Sequence, residues 1–373
     1  MKKRVGLVTV HRAVNAGASL QAFALCRAIE NLEYTCEIID YMFENAGGYQ
    51  TENLLTTQGI ASHVQRILLT RSRIRCLNRF AVFQNELPIV PPQFTSIQDI
   101  RQTSLNYDTL ICGSDQIWSP SLIARGVAEP FYLTFAPDKP RVAYAPSFGV
   151  TDIPDEHRER MKQLISDFSS LSAREKRGVE MIRELTGIEA EHVLDPTLLV
   201  PAETFDEITV EPDIHQPFIF VFTTQYPKTA AHMELMRAIA EQFHLLIVIG
   251  LIGTFHPKWL LEPGTFRFDI GPKEFLGLIR KASFVVTNSY HGTALSIAMR
   301  KNFMVIPHFH FNSRMESLLE IFNLQHRQLN DTHSGASASQ FMEPIDYLEV
   351  DRRLLQERHK SLNFLKRALA GNN

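Results

Sequence analysis

An apolar run of strand length at residues 4–10, RVGLVTV, is followed by a polar loop and then by SLQAFALCRAIENL at 19–32, where Leu20, Phe23, Ala24, Ala28 and Ile29 recur at helical spacing. CEIIDY at 36–41 is a second strand-length run. A strand, a helix and a strand in that order form a right-handed crossover between parallel strands. The chain is therefore committed from its start to a parallel sheet with helices packed on its faces.

The alternation continues. YDTLICGSD at 107–115 and RVAYAPSFG at 141–149 read as strands that end in polar, glycine-containing loops, and HVLDP ends another after a helical segment to about 187. Pro196, Pro201, Pro212 and Pro217 then punctuate a stretch with several acids and few apolar runs, where a domain boundary is expected. Beyond it, residues 218–223, 244–250, 283–289 and 303–307 repeat the strand pattern, and 313–324 and 354–369 read as amphipathic helices. At 373 residues the chain suits two domains. The expected architecture is α/β: two Rossmann-like, doubly wound domains facing a cleft, over 1–205 and 206–345, with an amphipathic helix in 346–373.

Composition removes several function classes. A net charge of −3 gives no global attraction to nucleic acid, so none is expected as a partner, and an anionic ligand must be held locally. Cys26, Cys36, Cys76 and Cys112 show no disulfide or zinc spacing, which suits a reducing cytoplasm. His308 and His310 alternate in PHFHF without an acid nearby in sequence, so no metal is expected. The apolar runs are too short for a signal segment or a bilayer span, and the expected location is cytoplasmic. Residues 53–85 hold Arg66, Arg71, Arg73, Arg75 and Arg79 and no acid. The plain reading is a solvated basic face; the sharper one is peripheral contact with anionic lipid headgroups at the inner face of a membrane, or contact with a diphosphate-linked substrate.

In open α/β sheets ligands bind beyond the carboxyl ends of the strands, which directs attention to the loops there. The first loop, HRAVNAGASLQ, has Gly17 but no G-x-G-x-x-G, so a dinucleotide cofactor loses its usual support and no cofactor is expected. Asn15 and Gly17 suit its tight turn, and Gln21 faces either the cleft or solvent. GSDQIW sets Ser114, Asp115 and Gln116 beside Trp118, a polar group with an aromatic plate that would suit a sugar face or, equally, a capped turn over a core tryptophan. Ser147 lies in PSFG. In SAREK, Arg174 is either a surface cation paired with Glu175 or a fork for a carboxylate or phosphate, and the same two readings hold for Arg314. At SYHG, Ser289 can cap a helix whose N–H groups near Gly292 and Thr293 would welcome an anion, and His291 can change charge near neutral pH. Taken alone, that corner reads as a cap with a packed histidine.

Together, NAGASLQAFAL (15–25), ICGSDQIW (111–118), YAPSFG (144–149), SAREKRG (172–178), VLDPTLLV (193–200), VVTNSYHGTALSIA (285–298) and SRMESLLEIFNL (313–324) resemble, in this order, the polysaccharide pyruvyl transferase family. The resemblance spans roughly residues 5–330. It implies a GT-B-like fold, with the acceptor on the first domain and phosphoenolpyruvate on the second. The implied reaction moves the pyruvyl group of phosphoenolpyruvate onto two hydroxyls of a sugar, in a polysaccharide or its lipid-linked precursor, giving a cyclic ketal and phosphate. By residue, the motif histidine of the family falls on His291 and its anion-binding arginine on Arg174. Some members carry arginine two residues before that histidine, where this chain has Ser289, and Arg314 is the candidate to supply the charge. Asp115 is the candidate base toward the acceptor. The rival expectations are a sugar-nucleotide glycosyltransferase on the same fold and a non-catalytic protein that binds an anionic sugar.

Overall fold

The structure is a computed structural model that describes residues 2–43, 60–224, 230–252, 257–307, 313–329 and 338–371. Of residues 60–69, 230, 257, 260, 338 and 340 the backbone alone is described, so the side chain of Arg66 lies outside it, as do His308 and His310 entirely.

Among the described residues, twelve strands make two wholly parallel sheets. The first holds β1 (Arg4–Val8), β2 (Thr35–Tyr41), β3 (Ile89–Phe94), β4 (Thr109–Cys112), β5 (Arg141–Ala143), β6 (Ser170–Ala173) and β7 (Glu191–His192) in the order β3-β2-β1-β4-β5-β6-β7. The second holds β8 (Phe218–Phe222), β9 (Leu246–Gly250), β10 (Thr265–Arg267), β11 (Phe284–Thr287) and β12 (Phe303–Val305) in the order β10-β9-β8-β11-β12. Each order reverses once, between β1 and β4 and between β8 and β11, and a crevice opens at such a reversal because the two crossovers leave on opposite sides. Among the described residues no helix is long and apolar enough to cross a membrane.

The pleat distributes the side chains. On β8, Phe218, Phe220 and Phe222 face one core while Ile219 and Val221 face another. The first of these cores is continuous from Val5 and Leu7 of β1, through the helix Ala16–Asn31, to Phe275 and Leu276 of the helix Pro272–Lys281. The helix Ala16–Asn31 is therefore buried on nearly all sides rather than along one stripe. The two sheets thus share one apolar interior on their facing sides, while each keeps a second core of its own on the other face.

Two further elements tie the lobes. The helix Ile60–Phe83 lies against the helix Pro272–Lys281: Arg79 pairs with Asp269 at 2.9 Å and Glu274 at 3.1 Å, and the Cys76 thiol donates to the Ile270 carbonyl at 3.2 Å. Arg75 lies 3.9 Å from the same Asp269. The basic stretch thus places two of its arginines against Asp269 of the other lobe, while Arg71 and Arg75 stay exposed to solvent. The helix Tyr347–Ala370 follows the second sheet but docks on the first lobe. There Ser361 accepts from the Leu194 amide at 2.9 Å, Arg358 donates to the Leu198 and Val200 carbonyls at 3.0 Å each, and Phe364 meets Tyr144.

Candidate active site

The carboxyl ends of β1, β4, β6, β8 and β11 converge on a cavity of about 370 Å³, walled by Asn15, Asp115, Gln116 and Arg174 from the first lobe and by Thr224, Asn288, Tyr290, His291 and Arg314 from the second. It lies at both sheet reversals at once.

Arg174 follows the last residue of β6, and its side chain is fully buried. Nη1 donates to Asp195 at 3.1 Å, Asp115 and Glu175 each stand 3.7 Å away, and the guanidinium lies 4.4 Å above the Tyr290 ring. Burial alone would lower its pKa, but the carboxylates of Asp115, Asp195 and Glu175 together raise it, so the cation is fixed. Its Nε and Nη2 groups are buried and have no hydrogen-bond partner among the described residues. A charged donor pair in that condition is costly unless an acceptor fills it. Arg314 is pushed the other way, downward, by burial and by the neighbouring Arg174 cation. Gln116, with its amide oxygen turned to Arg314, accepts from that guanidinium at 2.7 Å.

Asp195 ends the loop after β7 and is fully buried. One oxygen caps the helix Pro196–Leu199 by accepting from the Thr197 amide at 3.0 Å and its hydroxyl at 2.7 Å. The other accepts from Ser114 at 2.8 Å and Arg174, and stands 3.5 Å from His291 Nε2. Burial works to raise this carboxyl, yet His291, Arg174 and the Thr197 amide outweigh it and hold it well below the usual carboxylate range.

His291 sits in the first turn of the helix Tyr290–Ala298 and reaches across to the first lobe. A Cβ placed on Gly17 would lie 2.2 Å from its Nδ1, so only glycine at position 17 lets the imidazole stand where it does. Gly17 and Asp195, both of the first lobe, thus bracket a histidine of the second.

The other expected residues divide. Asn15 lines the cavity while accepting from the Ala18 amide at 3.3 Å. Asp115 lines it too, with φ of 81°, a left-handed backbone that aspartate tolerates better than most residues. Ser114 is buried beneath and orients Asp195. Ser147 is buried and bonds Glu175 at 2.5 Å, and burial raises that carboxyl despite the nearby Arg174. Gln21 is buried and holds Thr9 at 2.9 Å and the Ala18 carbonyl at 3.0 Å, facing neither cleft nor solvent. Trp118 is a core residue stacked on Tyr132 at 5.3 Å, not a plate for a sugar. At the SYHG corner Ser289 caps the Gly292 amide at 3.3 Å, and the Thr293 amide donates to the Ser289 carbonyl at 3.0 Å. Those two N–H groups are therefore taken, which corrects the expectation that they greet an anion. Asp195 went unremarked in the sequence as a site residue, although an aspartate before proline at a strand end is a capping signal.

A family model described as Polysaccharide pyruvyl transferase matches residues 15–310. No curated protein matches the chain. Among solved structures, the Arabidopsis thaliana protein UGT89C1 complexed with UDP-L-rhamnose superposes with a TM-score of 0.51 at 9% identity, covering 99% of each chain. The same protein complexed with UDP gives a TM-score of 0.50 at 8% identity, covering 99% of this chain and 100% of its own. At such identities the likeness concerns the fold, which is that of the GT-B enzymes.

Proposed function

Since the chain belongs to the polysaccharide pyruvyl transferase family, we propose that its cavity takes phosphoenolpyruvate as donor and transfers the pyruvyl group to two hydroxyls of a sugar. The observation that carries this reading is the buried Arg174, whose Nε and Nη2 make no hydrogen bond among the described residues, beside Arg314 and His291 in one cavity. A small molecule with a carboxylate and a phosphate on adjacent atoms calls for two guanidinium groups and a proton donor within one small space.

In this reading Arg174 and Arg314 grip the two anionic groups. A proton goes to the methylene carbon, a sugar hydroxyl bonds to the central carbon, the bond to the phosphate oxygen breaks, and the second hydroxyl closes the ketal. Of the two hydroxyl protons, one balances the new methyl group and the other leaves with phosphate. His291 is the proton donor or the partner of the phosphate, held in place by Gly17 and Asp195. Asp115, on the first-lobe wall of the cavity, is the base toward the acceptor. General acid–base assistance of this kind contributes about 10²- to 10⁴-fold.

The test is a folded His291→Ala protein given phosphoenolpyruvate and a panel of diol-bearing glycans, with phosphate release and the ketal's mass gain both followed. A loss of turnover of about 10²-fold or more is expected. Undiminished turnover removes His291 from the reaction. Phosphate-free binding of a nucleoside diphosphate at the cavity would favour a sugar-nucleotide transferase instead.

A further inference from the structure

A second cavity, about 400 Å³, opens where the stretch Pro201–Glu203 between the sheets meets the ends of the helices Pro272–Lys281 and Tyr290–Ala298 and the flank of the helix Tyr347–Ala370. It is not part of the site above. His291 stands in the first turn of the helix Tyr290–Ala298, while Ala298 at the other end lines this cavity, a separation of about 10 Å at 1.5 Å per residue.

Four cations line it: Arg280, Arg300, Lys301 and Arg358. Arg280 is paired with Asp206, and Arg300 with Asp351 at 2.8 Å. Lys301 and Arg358 are in no ion pair among the described residues; Lys301 donates to the Ala282 carbonyl at 3.2 Å, and Arg358 to the Leu198 and Val200 carbonyls. Glu203 also lines the cavity, but at no ion-pair distance from either. Burial lowers Lys301, with the Arg280 charge adding to it, and burial lowers Arg358 as well. Two crowded, half-buried cations in no direct ion pair among the described residues, with Glu203 and Asp351 farther off on the same wall and an apolar flank from Pro201, Met299 and Leu354, make a place where a dianion on a compact organic body gains two charge-assisted contacts.

We propose that this rear cavity binds a phosphate monoester, with Lys301 and Arg358 as its cationic contacts. Glycerol phosphate and inorganic phosphate serve as probes, titrated by calorimetry against the wild-type chain, Lys301→Met, Ala202→Glu and Arg174→Gln. Lys301→Met keeps the apolar stem, and Ala202→Glu adds an acid to the wall without removing any of the bonds above. Both are expected to weaken glycerol phosphate binding by about tenfold or more, as loss of a charge-assisted contact does, while Arg174→Gln leaves that binding in place. Inorganic phosphate binding as tightly as glycerol phosphate would refute the monoester and leave a bare oxyanion site. Unchanged affinity in both rear-cavity variants, or loss of all binding in Arg174→Gln, overturns the proposal.

Discussion

At the scale of single residues, the contact between Gly17 and His291 is the most exacting in the molecule. In an ordinary helix Gly→Ala stabilises by up to about 1 kcal/mol. Here the added methyl would press on the imidazole, so Gly17→Ala is expected to keep its melting temperature near wild type yet lose roughly 10²-fold in turnover, the cost of a misplaced catalytic group. Wild-type kinetics in that variant would deny His291 its placement. Asp195→Asn removes the charge that meets buried Arg174, and a loss of about 3–5 kcal/mol is expected by denaturant titration. The sign with pH follows from the lowered carboxyl: its stabilisation is complete above the unfolded carboxyl value of about 4 and fades as pH falls through the lower folded value. The gap between wild type and Asp195→Asn should accordingly narrow in acid below about pH 4. Arg174 and His291 stood out in the sequence as candidates because strand-end loops are where ligands bind, although each taken alone read rather as a surface cation and a packed cap. The places of Gln21 and Trp118 were not legible, since a polar or aromatic residue near such a loop serves the floor beneath a site as readily as its surface.

At the scale of elements, the central strands could be read from their apolar runs, but β3 and β10 could not. β3 is IVPPQF, whose paired prolines argue against a strand except at an edge, where it lies, and β10 is three residues long. The helix Tyr347–Ala370 was recognisable as amphipathic, whereas its partner was not, because an apolar face does not say which sheet it covers. Its docking hinges on a hydroxyl. Ser361→Ala leaves the Leu194 amide buried without an acceptor, and about 1–3 kcal/mol of stability should be lost; a smaller change in chemical unfolding would show that the amide finds another partner.

At the scale of the whole molecule, the sheet orders imply two lobes, yet the apolar interior runs through both. Separate lobes would melt separately. A shared interior, reinforced by Arg79 with Asp269 and Glu274, is expected to give one calorimetric transition whose enthalpy matches the van't Hoff value. Two resolved transitions would mean that the lobes hold together less firmly than their contacts suggest.

The return of the helix Tyr347–Ala370 to the first lobe also sets an order of manufacture. Leu194, whose amide it caps, is joined directly to Asp195, the buried carboxylate behind Arg174 and His291. About 150 residues separate the two segments, on the order of ten seconds of synthesis. Through that interval a ribosome-bound chain holds a first sheet whose Asp195 is bonded to Ser114 and Arg174 but whose Leu194 amide still lacks its Ser361 acceptor. The rim beside Asp195 thus gains its Ser361 contact only after the strands of both sheets have been made.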